Sequence, residues 1–334
     1  MAGWGADRAN AFGAVPGLWC TTWVLQVMPV FFFVGGFSNF RSFESTLRRG
    51  EPAARFLKTR LVRLLTPTGV FIWVWLMILL GLFLAGSLTP RCLKATRILV
   101  GPLWFLLVYL FVTALTPATY RLHKWFGMSA LAIAVFIAAG MDVLRFSLNL
   151  TGAGWANVVL IWLFAHQLGY FYADRTLVRA RPRVYLVLAL FGLVGLLGLT
   201  LSGLYPKSMV GTGFGKVSNM NPPTICIVAL TLWLVGVAMY LRRAASRRLA
   251  RPGPWKLAVV VNSLIMTVYL WHLTAYGAVF GVLALIGFSG SAPGTANWWL
   301  ERTIWVGGSF SVSIPLVLLF GRFERPTVNP AAAN

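Results

Sequence analysis

The chain has 334 residues, of which 58% are hydrophobic, with 29 Lys and Arg against only 7 Asp and Glu and a net charge of +22. That balance excludes an ordinary soluble domain. It does not call for nucleic acid either, because the basic residues fall in short connectors, none of which makes a face large enough to track a duplex.

Residues 1–17, MAGWGADRANAFGAVPG, are small and polar and read as an extracytoplasmic segment; they lack the ordered basic, apolar and cleavage regions of a signal peptide. Apolar runs follow at 18–38, 64–87, 99–117, 126–144, 155–173, 184–203, 223–241, 257–277 and 303–320. Each is long enough to cross roughly 30 Å of hydrocarbon as a helix. The expected fold is therefore all-α, a polytopic membrane helix bundle of about nine transmembrane helices. One membrane domain covers 18–325, and 326–334 is a cytoplasmic tail.

The connectors orient the bundle, because Lys and Arg are retained on the cytoplasmic side. With the N-terminus outside the plasma membrane and the C-terminus in the cytoplasm, 21 of the 29 basic residues face inward and 8 outward, the exception being Arg91, Lys94 and Arg97. The surplus charge reads as topology plus attraction to anionic headgroups of the lipid bilayer. Arg outnumbers Lys 23 to 6, which hints at a GC-rich bacterial genome. An even number of spans with both ends inside is the commoner arrangement, so a further helix upstream of Met1 is expected.

Several motifs carry little chemistry. Cys20, Cys92 and Cys226 are far apart and match no metal or disulfide spacing, so no metal is assigned. The stretch GTGFGK (211–216) fails as a phosphate loop: three residues separate Gly211 and Gly215, and Val217 follows Lys216. It lies in the longest outer connector, 204–224, which reads as a flexible turn or as a cover over an acceptor entrance. Among the carboxylates, Asp142 with Arg145 at i+3 reads as a local ion pair. Asp174 and Glu324 border arginines and read as paired with them. Glu44 and Glu51, in a long basic loop, are placed to orient its arginines.

The stretch LQVMPVFFFVGGFSNF (25–40), followed by RRGEPAARFLKTRLVRLLTP (48–67), resembles the opening of the acyltransferase-3 family of integral membrane acyltransferases. The shared features are a Phe-rich helix (Phe31-Phe32-Phe33-Val34-Gly35-Gly36-Phe37), an Arg60-x-x-Arg63 element and Pro67. Further on, GPLWFLLVYL (101–110) and VYLWHLTA (268–275) resemble later helices of the family, and LFAHQLGYFYADRTL (163–177) is similar to actinobacterial-type members. The resemblance implies about ten helices and acyl transfer from a cytoplasmic donor, often acetyl-CoA, to a hydroxyl of a glycan, glycolipid or other cell-envelope acceptor. No bound cofactor is implied; acyl-CoA is a co-substrate. Family members carry an Arg and a His on their first helix, and no residue here matches that His.

Acyl transfer needs a base for the alcohol proton, donors for the oxyanion and cations for an anionic donor. Three histidines are available. His166 lies near the middle of its span beside Gln167, with Tyr170 at i+4 on the same face; it reads as a catalytic candidate or as interhelical hydrogen-bonding glue. His272, about 14 residues into the predicted span 257–277, is placed about 21 Å along it, in the outer half. It is a second catalytic candidate, facing the bundle interior or a cavity, or a neutral imidazole bonded between helices near Tyr269 or Thr274. His123, between Leu122 and Lys124 in a cytoplasmic connector, reads as solvated surface. Arg60 and Arg63, an i, i+3 pair before Pro67, suit the phosphates of CoA and read equally as a membrane anchor. The leading expectation is a membrane acyltransferase acting on an envelope carbohydrate or lipid-linked acceptor. Alternatives are a multi-pass carrier or flippase for an envelope precursor, and a catalytically inactive relative. Oligomeric state is left open.

Overall fold

A computed structural model of the chain describes residues 11–211, 218–288 and 290–324. Twelve helices of ten or more residues follow one another: α1 Met28–Arg48, α2 Ala53–Leu84, α3 Pro90–Leu99, α4 Leu103–Ala114, α5 Thr116–Phe126, α6 Met128–Ser147, α7 Ala156–Ala173, α8 Pro182–Leu201, α9 Ile225–Leu249, α10 Pro252–Ser263, α11 Ile265–Leu285 and α12 Ala296–Phe320. No strand occurs among the described residues, as the apolar periodicity requires.

Among the described residues eight segments are long and apolar enough to cross a membrane: Leu18–Arg48, Ala53–Leu84, Pro90–Ala114, Met128–Ser147, Pro182–Leu201, Ile225–Leu249, Ile265–Leu285 and Ala296–Phe323. The ninth expected span, 155–173, forms as α7 but is made less apolar by Asn157, His166 and Gln167. Most of α7 is buried. A helix wrapped in protein needs no lipid-compatible surface, so polar side chains are tolerated there.

Two boundaries move in ways that matter. The basic stretch 41–63 is not a loop. Residues 41–48 are the last turns of α1, 53–63 are the first turns of α2, and Gly50 in the left-handed region (φ 68°) makes the corner. Pro67 consequently lies inside α2, not ahead of it. The predicted span 257–277 is broken at Leu264, and the membrane helix begins at Ile265.

The chain divides into two compact units. The first is Met1–Phe56 with Phe111–Arg247, and the second is Leu57–Leu110 with Arg248–Asn334.

In the first unit α1 and α7 run parallel, backbone against backbone. Phe32 stacks on Trp162 with centroids 4.6 Å apart, and Phe40 meets Tyr170 at 5.2 Å. Between them a Cβ on Gly36 would lie 1.8 Å from the His166 carbonyl oxygen, and one on Gly169 would lie 2.1 Å from that of Phe33. Only glycine fits at either position. Helices without side chains at the crossing approach closely and gain van der Waals contact that lipid cannot replace. The antiparallel pair α8 and α9 repeats the device, with Gly192 against the backbone of Ala229 and Trp233 and Gly236 against that of Tyr185 and Ala189.

At the end of this unit away from its arginine-rich turns, Asp142 of α6 is buried. Its carboxylate accepts from Asn157 Nδ2 (2.9 Å), Ile225 N (2.8 Å) and Tyr205 Oη (3.2 Å). The expected Asp142–Arg145 ion pair does not form; Arg145 donates to the Pro222 carbonyl at 3.2 Å and covers the Phe146 ring. Three neutral donors already satisfy the carboxylate. The described parts of the 204–224 connector are pinned, not a free turn: Trp23 Nε1 donates to Lys207 O, Met209 N to Thr22 Oγ1, and Asn219 Nδ2 to Pro206 O. Of the GTGFGK stretch all but Gly211 lies outside the described residues, as does the tail 326–334.

In the second unit α11 and α12 pair antiparallel. Trp271 stacks on Phe320 at 4.0 Å, Tyr276 on Trp305 at 5.2 Å, and α2 brings Phe71 edge-on to Trp271. Glu324 is not paired with an arginine among the described residues. Its carboxylate accepts from Met266 N (2.9 Å), Thr267 N (2.7 Å) and Thr267 Oγ1 (2.8 Å), which satisfies the free N–H groups at the start of α11.

Gly36→Ala and Gly169→Ala are each expected to destabilise the protein by about 3 kcal/mol, the upper end of ordinary overpacking. Gly198→Ala, where a Cβ meets nothing within 4 Å, should be neutral. Thermal unfolding in detergent, followed by tryptophan fluorescence, checks this; equal melting of all three variants would contradict the close crossing.

Candidate functional site

The α1–α7 crossing places a polar stripe inside the first unit. One turn beyond Gly36, Asn39 Nδ2 lies 3.1 Å from His166 Nε2 and 3.2 Å from Thr113 Oγ1 on α4. One turn beyond His166, the Tyr170 ring is 5.2 Å from the His166 ring, and its hydroxyl is 2.9 Å from Thr119 Oγ1 on α5. His166, Asn39 and Tyr170 are buried almost completely. The expected shared face of His166 and Tyr170 is thus present, and it points into protein.

His123 is not on the surface. It is 5% exposed, and its Nε2 lies 2.9 Å from Asp174 Oδ2. Its ring is edge-on to Phe171 (4.5 Å), Tyr170 (5.5 Å) and Phe40 (5.7 Å). The physical reason is the face of α5: Thr116, Thr119 and His123 point inward, while Arg121 and Lys124 point out. Asp174 ends α7, and Arg175 follows in the left-handed region (φ 72°), so the carboxylate turns back and also accepts from Thr176 N at 2.8 Å. The expected Asp174–arginine pairing is therefore replaced by a histidine. Burial tends to raise the Asp174 carboxyl, but the Thr176 N–H and His123 outweigh it and hold the group below its ordinary value.

Two imidazoles thus lie against one tyrosine ring, and neither is fully bonded. His166 Nδ1, His123 Nδ1, Asn39 Oδ1, Thr116 Oγ1 and Gln167 Nε2 are buried and have no hydrogen-bond partner within the chain. Buried polar atoms are nearly always partnered. These five atoms lie on three adjoining helices, α1, α5 and α7.

The other predicted site residues belong to the second unit. His272 is the eighth residue of α11, about 10 Å along it at 1.5 Å per residue. It therefore lies in the first half of the helix instead of the far half. Its side chain is exposed and does not face the bundle interior, and Nδ1 donates to its own helix at Tyr269 O (2.5 Å). Arg60, half-buried, and Arg63, exposed, lie on the early turns of α2 itself. Glu44 and Glu51, in the first unit, do orient arginines: Glu44 pairs with Arg41 and Arg48, and Glu51 with Arg49 and Arg55.

A bundle of apolar helices around a buried, incompletely bonded cluster of histidine, carboxylate and amide defines a polytopic membrane protein with an internal polar site. The sequence model of the acyltransferase-3 family, described as an acyltransferase domain, matches residues 2–319, nearly the whole chain. The protein belongs to that family and is a multi-pass membrane acyltransferase. No curated protein and no solved structure matches it.

Asp174→Asn removes the His123 partner. Because the folded Asp174 carboxyl titrates below its unfolded value, its stabilising contribution is complete above about pH 4 and is lost as pH falls through the folded value. The variant should therefore melt below the parent by a constant margin between pH 5 and 8, and the margin should close under acid. A margin that widens toward low pH would show the carboxylate is not stabilised there.

Proposed function

We propose that the protein transfers an acyl group, acetyl first among candidates, from acyl-CoA to a hydroxyl of a cell-envelope glycan or lipid-linked acceptor. In this reading it sits in the plasma membrane with its arginine-rich ends in the cytoplasm. The observation that carries it is His123: one ring nitrogen is held by Asp174, and the other is buried and unbonded.

A carboxylate behind an imidazole fixes its tautomer and stabilises the imidazolium formed when the opposite nitrogen takes a proton. The faces and edges of Phe40, Tyr170 and Phe171 exclude water around it. The acceptor hydroxyl gives its proton to His123 Nδ1 as its oxygen attacks the thioester carbonyl. The new C–O bond forms, the C–S bond breaks, and the proton passes to the departing CoA thiolate, leaving ester and CoA. Gln167 shares a helix face with Phe171, and its unbonded Nε2 is a donor for the developing oxyanion. His166, bonded to Asn39 and enclosed without a carboxylate, suits orientation of a neutral hydroxyl better than holding a proton. Arg60 and Arg63 add cationic charge that draws the donor.

His123→Gln should lower acyl transfer from labelled acetyl-CoA to envelope extract by about a thousandfold, within the range for a general base. Asp174→Asn should lower it less, and His272→Gln by no more than about twofold. Loss of activity in His272→Gln with His123→Gln unimpaired would transfer the base to the second unit. Uptake of an envelope precursor into vesicles without covalent product would indicate a carrier, and neither activity would indicate an inactive relative.

Arg60→Gln with Arg63→Gln should raise the KM for donor by about tenfold, about 1.4 kcal/mol of binding, with membrane insertion intact. Unchanged turnover by inserted protein at limiting donor would remove the two arginines from donor capture.

A further inference from the structure

A second feature of the first unit has no part in the chemistry above. Where α8 and α9 diverge beyond their glycine crossing, they leave a cleft of ≈ 190 Å³ lined by Pro182, Tyr185, Met239, Tyr240, Arg242 and Arg243. At the crossing Gly236 rests on the backbone of Tyr185 and Ala189, one turn before Met239 in the cleft. Tyr185 is buried, and its hydroxyl is committed to the Leu177 carbonyl at 2.6 Å. The charge of the cleft comes from two guanidiniums.

No described carboxylate of the unit neutralises them. Its described carboxylates are all engaged elsewhere: Glu44 and Glu51 with other arginines, Asp142 with Asn157, Tyr205 and Ile225, and Asp174 with His123. Arg242 instead lies over the Tyr172 ring at 5.7 Å and reaches its hydroxyl at 3.4 Å. Tyr172 is two residues before Asp174 on the helix that carries the catalytic cluster. An anion held in this cleft is thus one side chain away from α7.

We infer that Arg242 and Arg243 form a phosphate site, and that the phosphate it takes is the diphosphate of the acyl-CoA donor. Adjacent arginines give planar, forked donors matched to phosphate oxygens. The volume accommodates a diphosphate and not a whole nucleotide, so the adenosine would lie outside, alongside the exposed Tyr240. The assignment of the phosphate to the donor rests on the acyl-CoA reading. The existence of the anion site does not.

The test measures binding of adenosine 3′,5′-diphosphate and of CoA to the full-length protein in nanodiscs of neutral lipid, by calorimetry. Arg242→Gln with Arg243→Gln should weaken CoA binding by about a hundredfold, tenfold per guanidinium. It should weaken adenosine 3′,5′-diphosphate, which lacks the 5′-diphosphate link, less. Arg247→Gln with Arg248→Gln, further along α9 and outside the cleft, should leave both unchanged. Equal weakening by the two double variants would reduce the effect to diffuse charge and overturn the site. No CoA binding in neutral nanodiscs, together with an anionic phospholipid that co-purifies with the parent and not with the first double variant, would assign the cleft to a lipid headgroup and overturn the donor assignment. CoA binding that depends on Arg242 and Arg243 in a protein that transfers no acyl group would keep the cleft and remove the enzymatic reading. Acyl transfer with CoA binding unaffected by the two substitutions would do the reverse.

Discussion

The contact on which the first unit depends is the backbone-to-backbone passage of α1 and α7 at Gly36 and Gly169. In hydrocarbon, apolar side chains gain little by leaving lipid for protein, so helices are held together by closeness of fit. Two glycines provide that closeness, and the register they set decides what lies above and below. It fixes the stacking of Phe32 on Trp162, the approach of Asn39 to His166, and the meeting of Phe40 and Tyr170. The polar atoms of α7 are buried because the helix is enclosed, and it is enclosed because α1 can come so near.

Around that crossing the unit is graded along its length. A carboxylate satisfied by neutral donors closes one end, at Asp142. A carboxylate paired with a histidine lies toward the arginine-rich end, at Asp174. Between them Asn39, His166 and Gln167 each keep a polar atom without a partner within the chain. The same acid residue type thus plays two parts set by its partners. Asn157, Tyr205 and the Ile225 amide donate to Asp142, whereas Asp174 accepts from a backbone amide and lies against an imidazole whose other nitrogen has no partner within the chain.

Much of this is visible in the residues before any coordinates. Runs of about 20 apolar residues give the helices, and a histidine beside a glutamine inside such a run marks α7 as unusual. His123 was hidden by its neighbours. Arg121 and Lys124 make the segment look solvated, yet Thr116, Thr119 and His123 recur at spacings of three and four, which is the signature of one inward helix face. The pairing with Asp174 has no local signal, since 51 residues separate the two. Many helix ends were legible from a glycine or proline standing at them, and the end of α7 at Ala173 from the charged pair Asp174-Arg175 that follows. Charge does not stop a helix, so α1 and α2 run on through their arginines, and the break at Leu264 has neither glycine nor proline to announce it.

Glu324 draws the last described turn of the chain back onto the first turn of α11, two backbone amides and a hydroxyl converging on one carboxylate. The start of the helix bearing His272 is thus capped by a residue 57 positions further on, so α11 and α12 are tied at that end by hydrogen bonds as well as by the stacking of Trp271 on Phe320.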